Sequence, residues 1–104
     1  MHPLGNLYTH APAPAEGERF DTLLRHRNLK VERIVSSAQP DGKKYVQDQD
    51  EWAVLLTGDA TLDIDGNELE LKAGDHVFLP AGTAHTVKRT SSGATWLAVH
   101  LHPD

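Results

Sequence analysis

From Leu29 onward, apolar and polar residues alternate in short runs that predict β-strands separated by tight turns. In residues 60–64, Ala60, Leu62 and Ile64 point to one side of a strand. The next residues, Asp65-Gly66, favour a two-residue hairpin because both positions tolerate positive φ. Turn residues recur roughly every 8–12 positions, which indicates about eight or nine strands in an antiparallel sandwich or barrel.

The chain before this series is less regular. Residues 1–17 include a proline-rich stretch at 10–17, where proline removes amide donors and disfavours a helix. We expect either a flexible N-terminal arm or an arm that adds a strand to a neighbouring subunit. The apolar residues of segment 18–27 fit one or two helical turns or a strand. The domain itself is predicted to span residues 18–104.

The last predicted strand, residues 96–102, has two faces that could each be buried. Leu97, Val99 and Leu101 form an aliphatic face, which favours burial of that face with the histidines in solvent. In a sandwich the opposite face can also be covered, and His100 would then enter the interior. The sequence leaves both arrangements open.

Composition narrows the classes of function. The chain has 104 residues, which is one domain's length, and a net charge of −5, which argues against binding to a phosphate backbone. No apolar run approaches the roughly 20 residues of a membrane span, and residues 1–6 lack the profile of a signal peptide. We therefore expect a cytoplasmic protein with no nucleic-acid or membrane partner.

The chain contains no cysteine and seven histidines, so any metal would be bound by nitrogen and oxygen atoms. Four of the histidines, His2, His10, His26 and His76, are scattered and show no metal-ligand spacing. We expect these four side chains to face solvent. Nothing in the sequence predicts an organic cofactor.

Two polar residues are predicted to face the interior. Glu51 has the parity of Ala53 on its strand, and His85 has the parity of Val87. A buried carboxylate needs a partner, and the candidates are His85, Tyr45 or a metal ion. Without a metal, Glu51 and His85 could act as a general base and its orienting group, with Tyr45 as a proton donor.

The stretch 74–85 carries Gly74, Pro80, Gly82 and His85 at the spacing of the second motif of the cupin superfamily, which it resembles. Gly82 allows the chain to reverse, and Pro80 ends the preceding strand by removing a ladder donor.

Glu51 and Gly58 match the spacing of the first cupin motif, whereas Tyr45 and Gln47 stand where that motif has two histidines. The chain resembles the small single-domain cupins with a Tyr-x-Gln version of this motif. The resemblance implies an all-β fold, an antiparallel jelly-roll (cupin) β-barrel of two sheets.

In metal-dependent cupins, the Glu and His of these motifs bind a divalent metal, so the resemblance implies Glu51 and His85 as metal ligands. His100 could complete a set of two imidazoles and one carboxylate suited to Fe, Mn, Ni or Zn, with Gln47 as a fourth ligand. The amide of Gln47 and the phenol of Tyr45 are weaker metal donors than imidazole at neutral pH.

We expect an internal polar site that binds a divalent metal, a small polar molecule or both, and several functions of such a site remain open. The protein could be an enzyme acting on a small polar substrate through Glu51, His85 and Tyr45, or a metal-free module that binds a small molecule. Tyr45, Gln47 and Arg33 are the candidate ligand-binding residues, although exposure on the surface is the simpler interpretation of Arg33. A structural homodimer is the third candidate, formed by edge-strand pairing with help from residues 1–15.

Overall fold

The computed structural model describes residues 1–104 and contains nine strands. They are β1 (Glu18–His26), β2 (Leu29–Ser36), β3 (Lys44–Tyr45), β4 (Asp50–Thr57), β5 (Asp59–Ile64), β6 (Asn67–Lys72), β7 (His76–Leu79), β8 (His85–Thr90) and β9 (Thr95–Leu101). Segment 18–27 is therefore a strand rather than helical turns, because pairing with β2 continues along it from Glu18 to His26. No helix is present that is long and apolar enough to cross a membrane.

The strands form two antiparallel sheets. One sheet has the order β1-β2-β9-β4-β7, and the other has the order β3-β8-β5-β6. The sheets pack face to face as a jelly-roll β-barrel, which confirms the predicted fold class. Because β9 lies between β2 and β4, residues far apart in the chain become neighbours on the inner face of the larger sheet.

The apolar core lies between the two sheets. Its buried members come from both of them: Ile34, Ala53, Leu55, Ala60, Leu62, Leu71, Val77, Ala94, Trp96 and Ala98. Ala60 and Leu62 are inside, as their alternation predicts, and Ile64 packs against the same cluster. The predicted hairpin turn is confirmed, since Asp65 and Gly66 have φ of 50° and 84°.

The inner face of β9 is the one that carries Trp96, Ala98 and His100, all of which are buried. The interpretation that places the aliphatic face inside is wrong, and Leu101 is 49% exposed. The reason is register, because Trp96 pairs with Ile34 on β2 and is thereby directed towards the core. His100 follows on the same face.

Residues 1–17 form no strand, but part of this segment lies against β2. The guanidinium of Arg33 donates hydrogen bonds to the carbonyl oxygens of Leu7 (3.1 Å), Thr9 (2.8 Å) and His10 (3.1 Å). It also forms an ion pair with Asp21 at 2.9 Å. Arg33 is therefore buried rather than exposed on the surface.

Candidate functional site

A cavity of about 150 Å³ lies between the sheets and opens to solvent. Most of its wall is apolar, with side chains from both sheets. Seven polar or titratable side chains also line it: Glu18, Glu32, Tyr45, Gln47, Glu51, His85 and His100. Every candidate metal ligand of the sequence analysis is therefore at this cavity.

His100 is the centre of the polar part of the wall. Its Nε2 lies 3.4 Å from Glu32 Oε2, and its Nδ1 lies 3.9 Å from Glu51 Oε1. All three side chains are at least nine-tenths buried. They meet because β9 runs between β2 and β4 and pairs His100 directly with Glu51.

The hydrogen bonds of this group are incomplete. Gln47 Nε2 donates to Glu51 Oε1 at 2.9 Å, and Gln49 Nε2 lies 3.3 Å from His100 Nδ1. His100 Nε2 is buried and has no hydrogen-bond partner. Such an atom is uncommon in a folded protein, because a buried polar group without a partner destabilises the fold by about 1–3 kcal/mol.

The pKa values of the wall carboxylates Glu32 and Glu18 are shifted in opposite directions. Burial alone would raise the pKa of Glu32, but the neighbouring His100 and Lys30 hold that pKa below its usual value. Lys30 lies outside the cavity wall, with Nζ 3.4 Å from Glu32 Oε1. No lysine or arginine is among the residues that line the cavity.

Glu18 lies in a second hydrogen-bonded chain at the cavity. The indole Nε1 of Trp96 donates to Ser36 Oγ at 3.1 Å, and Ser36 Oγ donates to Glu18 Oε2 at 2.8 Å. Burial raises the pKa of Glu18, and the hydrogen bond from Ser36 offsets only part of this effect. The negative charges of Asp41, Glu51 and Glu32 raise that pKa further.

Tyr45 and His85 are directly paired across β3 and β8, and their rings lie 6.1 Å apart. His85 Nδ1 lies 3.2 Å from the carbonyl oxygen of Thr83. The Tyr45 hydroxyl donates a hydrogen bond to the Asp41 carboxylate, which raises the pKa of Tyr45 above its usual value. Tyr45 therefore stays protonated, which disfavours it as a metal donor.

The donors do not form a metal centre in this arrangement. No group of three His, Asp or Glu side chains is placed to hold one ion. Glu51 Oε1 and His100 Nδ1 lie 3.9 Å apart, whereas His85 forms no ion pair with Glu51, and the amide nitrogen of Gln47 faces Glu51. Two nearby donors are fewer than the three protein ligands of an ordinary catalytic metal site.

Arg33 is the one candidate ligand-binding residue that the fold does not bring to the cavity, because its parity is opposite to that of Glu32 and Ile34. It holds the N-terminal segment instead. The four histidines expected in solvent, His2, His10, His26 and His76, are exposed.

Glu18 and Glu32 are the wall residues that sequence reasoning missed. On β2, Glu32 shares its face with Ile34, and the opposite face carries more apolar residues. On β1, the side-chain direction of Glu18 could not be assigned from the sequence, because the segment fitted both a helix and a strand. The only available signal was the parity of Glu32 with Ile34, which by itself is too weak to assign an inner face.

The comparisons agree with this fold. The family model described as Cupin domain matches residues 35–100. A protein of Ralstonia eutropha JMP134 with the provisional name mannose-6-phosphate isomerase is 37% identical, with a TM-score of 0.86 over 95% of this chain and 97% of that one. No curated protein matches the chain.

Two more distant solved structures show likeness of fold alone. The TT1209 protein of Thermus thermophilus is 22% identical, with a TM-score of 0.82 and coverage of 95% of this chain and 97% of that one. An RmlC-like cupin of Shewanella frigidimarina is 16% identical, with a TM-score of 0.76 and coverage of 95% and 92%.

Proposed function

Since the chain belongs to the family of cupin domains, we propose that it binds a small polar organic molecule in its cavity without a bound metal ion. The protein is then a binding module rather than a metalloenzyme. Three observations support the proposal: the size of the cavity, the incomplete hydrogen bonding of its wall and the arrangement of its donor atoms.

The observation that carries the proposal is the unpartnered Nε2 of His100 in the cavity wall. Buried polar groups are nearly always satisfied by protein, water or ligand. A ligand with one hydrogen-bonding group near His100 would remove the cost of leaving this nitrogen unpaired. The rest of the ligand would pack against the apolar part of the wall.

The size of the cavity limits the ligand. A volume of about 150 Å³ equals that of an engineered apolar cavity which accepts benzene. We therefore expect a ligand core of about six non-hydrogen atoms, with any larger part extending through the opening.

A phosphorylated sugar is a poor candidate, although the Ralstonia relative has a provisional name of that kind. Phosphate is usually bound by Arg, Lys or the N-terminus of a helix. The cavity wall has no Lys or Arg, the fold has no helix, and three glutamates would repel the phosphate. A phosphorylated hexose is also much larger than benzene.

The test uses the two tryptophans as reporters in ¹⁵N-labelled protein. Trp96 lines the cavity and donates its indole N–H to Ser36, which is bonded in turn to the wall residue Glu18, whereas Trp52 faces outward and is 37% exposed. The probes are cyclohexanol, phenol, 2-pyrrolidinone and mannose 6-phosphate, each titrated in EDTA. We expect at least one neutral probe to give a saturable shift of the Trp96 signal while Trp52 stays unchanged, and mannose 6-phosphate to give none.

Matched variants locate the binding. Ala53→Leu fills the cavity and should abolish the shift, whereas Val54→Leu, the next position on the opposite face, should preserve it. If Ala53→Leu does not fold, Val87→Phe fills the cavity from the other sheet. The proposal is refuted if no small organic probe, neutral or positively charged, shifts Trp96 at millimolar concentration, if the shift survives filling of the cavity, or if it requires Zn²⁺, Ni²⁺, Mn²⁺ or Fe²⁺.

A further inference from the structure

We propose that the ligand of this cavity is a small organic cation, in which an ammonium group is attached to a short apolar body. This inference rests on the proposed binding function and names the chemical class of the ligand. Its basis is the charge of the cavity wall, the incomplete hydrogen bonding of His100 and the apolar remainder of the wall.

The wall carries an excess of negative charge. Glu18, Glu32 and Glu51 extend from three different strands, β1, β2 and β4, into one cavity. Lys30 lies beside Glu32 just outside, and even a proton on His100 would leave one of these carboxylates uncompensated. Because Glu32 and Glu51 are largely buried, solvent screens this excess charge less than at the surface, and it favours a ligand of opposite sign.

The hydrogen-bonding capacity of the wall matches an ammonium group. A carboxylate only accepts hydrogen bonds, and an ammonium group has three donors and no acceptor. Glu18 accepts one hydrogen bond, from Ser36, and Glu51 accepts one, from Gln47. An ionised carboxylate has room for about four, so acceptor sites remain.

The unpartnered nitrogen of His100 is an observation independent of charge. His100 is 7% exposed, and the nearest acidic atom to its Nε2 is Glu32 Oε2 at 3.4 Å, which forms no hydrogen bond with it. Each oxygen of Glu32 has one neighbour at 3.4 Å, Lys30 Nζ or His100 Nε2, so acceptor sites of this carboxylate remain for a donor on the ligand. When the imidazole proton is on Nδ1, Nε2 accepts from the same ammonium group.

The remainder of the wall suits an apolar body. Aliphatic side chains such as Val77, Leu79 and Val87 line the cavity together with the rings of Phe20 and Trp96. Aromatic faces add attraction for a nearby cation. A ring or short chain of about the size of benzene would fill this part of the cavity.

The mutual repulsion of the carboxylates supports the same conclusion. Burial raises the pKa of Glu18 first, and the charges of Asp41, Glu51 and Glu32 contribute to the same direction. The carboxylates are therefore close enough to destabilise one another's ionised form. A bound cation would reverse this effect, whereas a bound anion would add to it.

The experiment compares three probes with one ring and different charges: benzylammonium (+1), benzyl alcohol (0) and benzoate (−1). Each is titrated into ¹⁵N-labelled protein at pH 7, with the Trp96 indole signal as reporter and Trp52 as internal reference. We expect benzylammonium to bind about tenfold more tightly than benzyl alcohol, or better, since one charge-assisted hydrogen bond has at least that effect. Benzoate should not bind.

The variants Glu32→Gln and Glu51→Gln should each reduce the preference for benzylammonium over benzyl alcohol several-fold. Glu68→Gln, an exposed position on β6, has the same change in net charge and should leave the preference unchanged. Both cavity variants keep the size of the side chain, and the spectrum of the unbound variant shows whether it has folded.

The outcomes separate this inference from the proposed function. If benzyl alcohol binds as tightly as benzylammonium, the cation inference is wrong and the binding function stands. If none of the three benzyl probes and no molecule of the neutral panel shifts Trp96, the binding function itself is wrong. If the preference for benzylammonium persists in the double variant of Glu32 and Glu51, it arises from the overall negative charge of the protein, and the inference is also refuted.

Discussion

Gly58 and Gly66 form a matched pair of positions at which one steric contact can be isolated. Both residues have left-handed φ, +86° at Gly58 and +84° at Gly66. A Cβ at Gly58 would lie 2.5 Å from Ser91 Oγ and 3.0 Å from the Cα and Cβ of Ala94, whereas a Cβ at Gly66 would meet no atom within 4 Å. Alanine at both positions therefore changes the backbone alike and the packing differently.

The expected magnitudes follow from these contacts. The left-handed conformation costs an alanine about 1–2 kcal/mol at either position. Gly58→Ala adds an overpacking cost of about 1–3 kcal/mol, because Ala94 is fully buried and its backbone cannot rotate away. Ser91 can turn its hydroxyl aside only by losing the hydrogen bond from Asp59 N at 3.0 Å.

The measurement is urea unfolding of the wild type and both variants, with the free energy of unfolding extrapolated to water. We expect Gly66→Ala to lose about 1–2 kcal/mol and Gly58→Ala about 2–5 kcal/mol. Adding Ser91→Ala to Gly58→Ala should recover only part of the extra stability that Gly58→Ala loses relative to Gly66→Ala, since the contact with Ala94 remains. Equal losses in the two single variants, within about 0.5 kcal/mol, would refute the steric argument.

Four further predictions concern charge and assembly. Arg33→Met removes the hydrogen bonds to the carbonyl oxygens of Leu7, Thr9 and His10, so chymotrypsin should cleave after Tyr8 faster than in the wild type. An unchanged rate contradicts this role of Arg33. Glu18→Gln should stabilise the fold at pH 7, because the folded pKa of Glu18 is raised and its ionised form is therefore unfavourable in the folded state. This gain in stability should disappear as the pH falls below 4.5, the usual pKa of Glu, where the side chain is protonated in the folded and the unfolded state. Glu32→Gln should destabilise the fold at pH 7, because the folded pKa of Glu32 is lowered and its ionised form therefore contributes stability above pH 4.5. This contribution is lost as the pH falls through the folded pKa. Urea unfolding from pH 3 to 8 tests both glutamate variants, and a change of stability in the same direction for both would contradict these predictions. We also predict a homodimer, formed by edge-strand pairing with help from residues 1–15, and sedimentation of a single 11.4 kDa species at tens of micromolar protein would exclude it.

The strand pattern and the motif positions could be predicted because they depend on short-range properties. The turn at Asp65-Gly66 needs positive φ at both positions, and the alternation of Ala60 and Leu62 needs only the two-residue period of a strand. The same period directed Glu51 and His85 inward, and both line the cavity.

The sequence by itself therefore determined the fold class, most of the turns and two residues of the cavity wall. The tertiary structure decided which face of β9 is inside, since both faces carry large side chains and only pairing with β2 and β4 directs Trp96 and His100 inward. It also decided that Glu18 and Glu32 join the wall. The physical reason is that alternation defines two faces of a strand, but the neighbouring strands and the opposing sheet determine which face is removed from water.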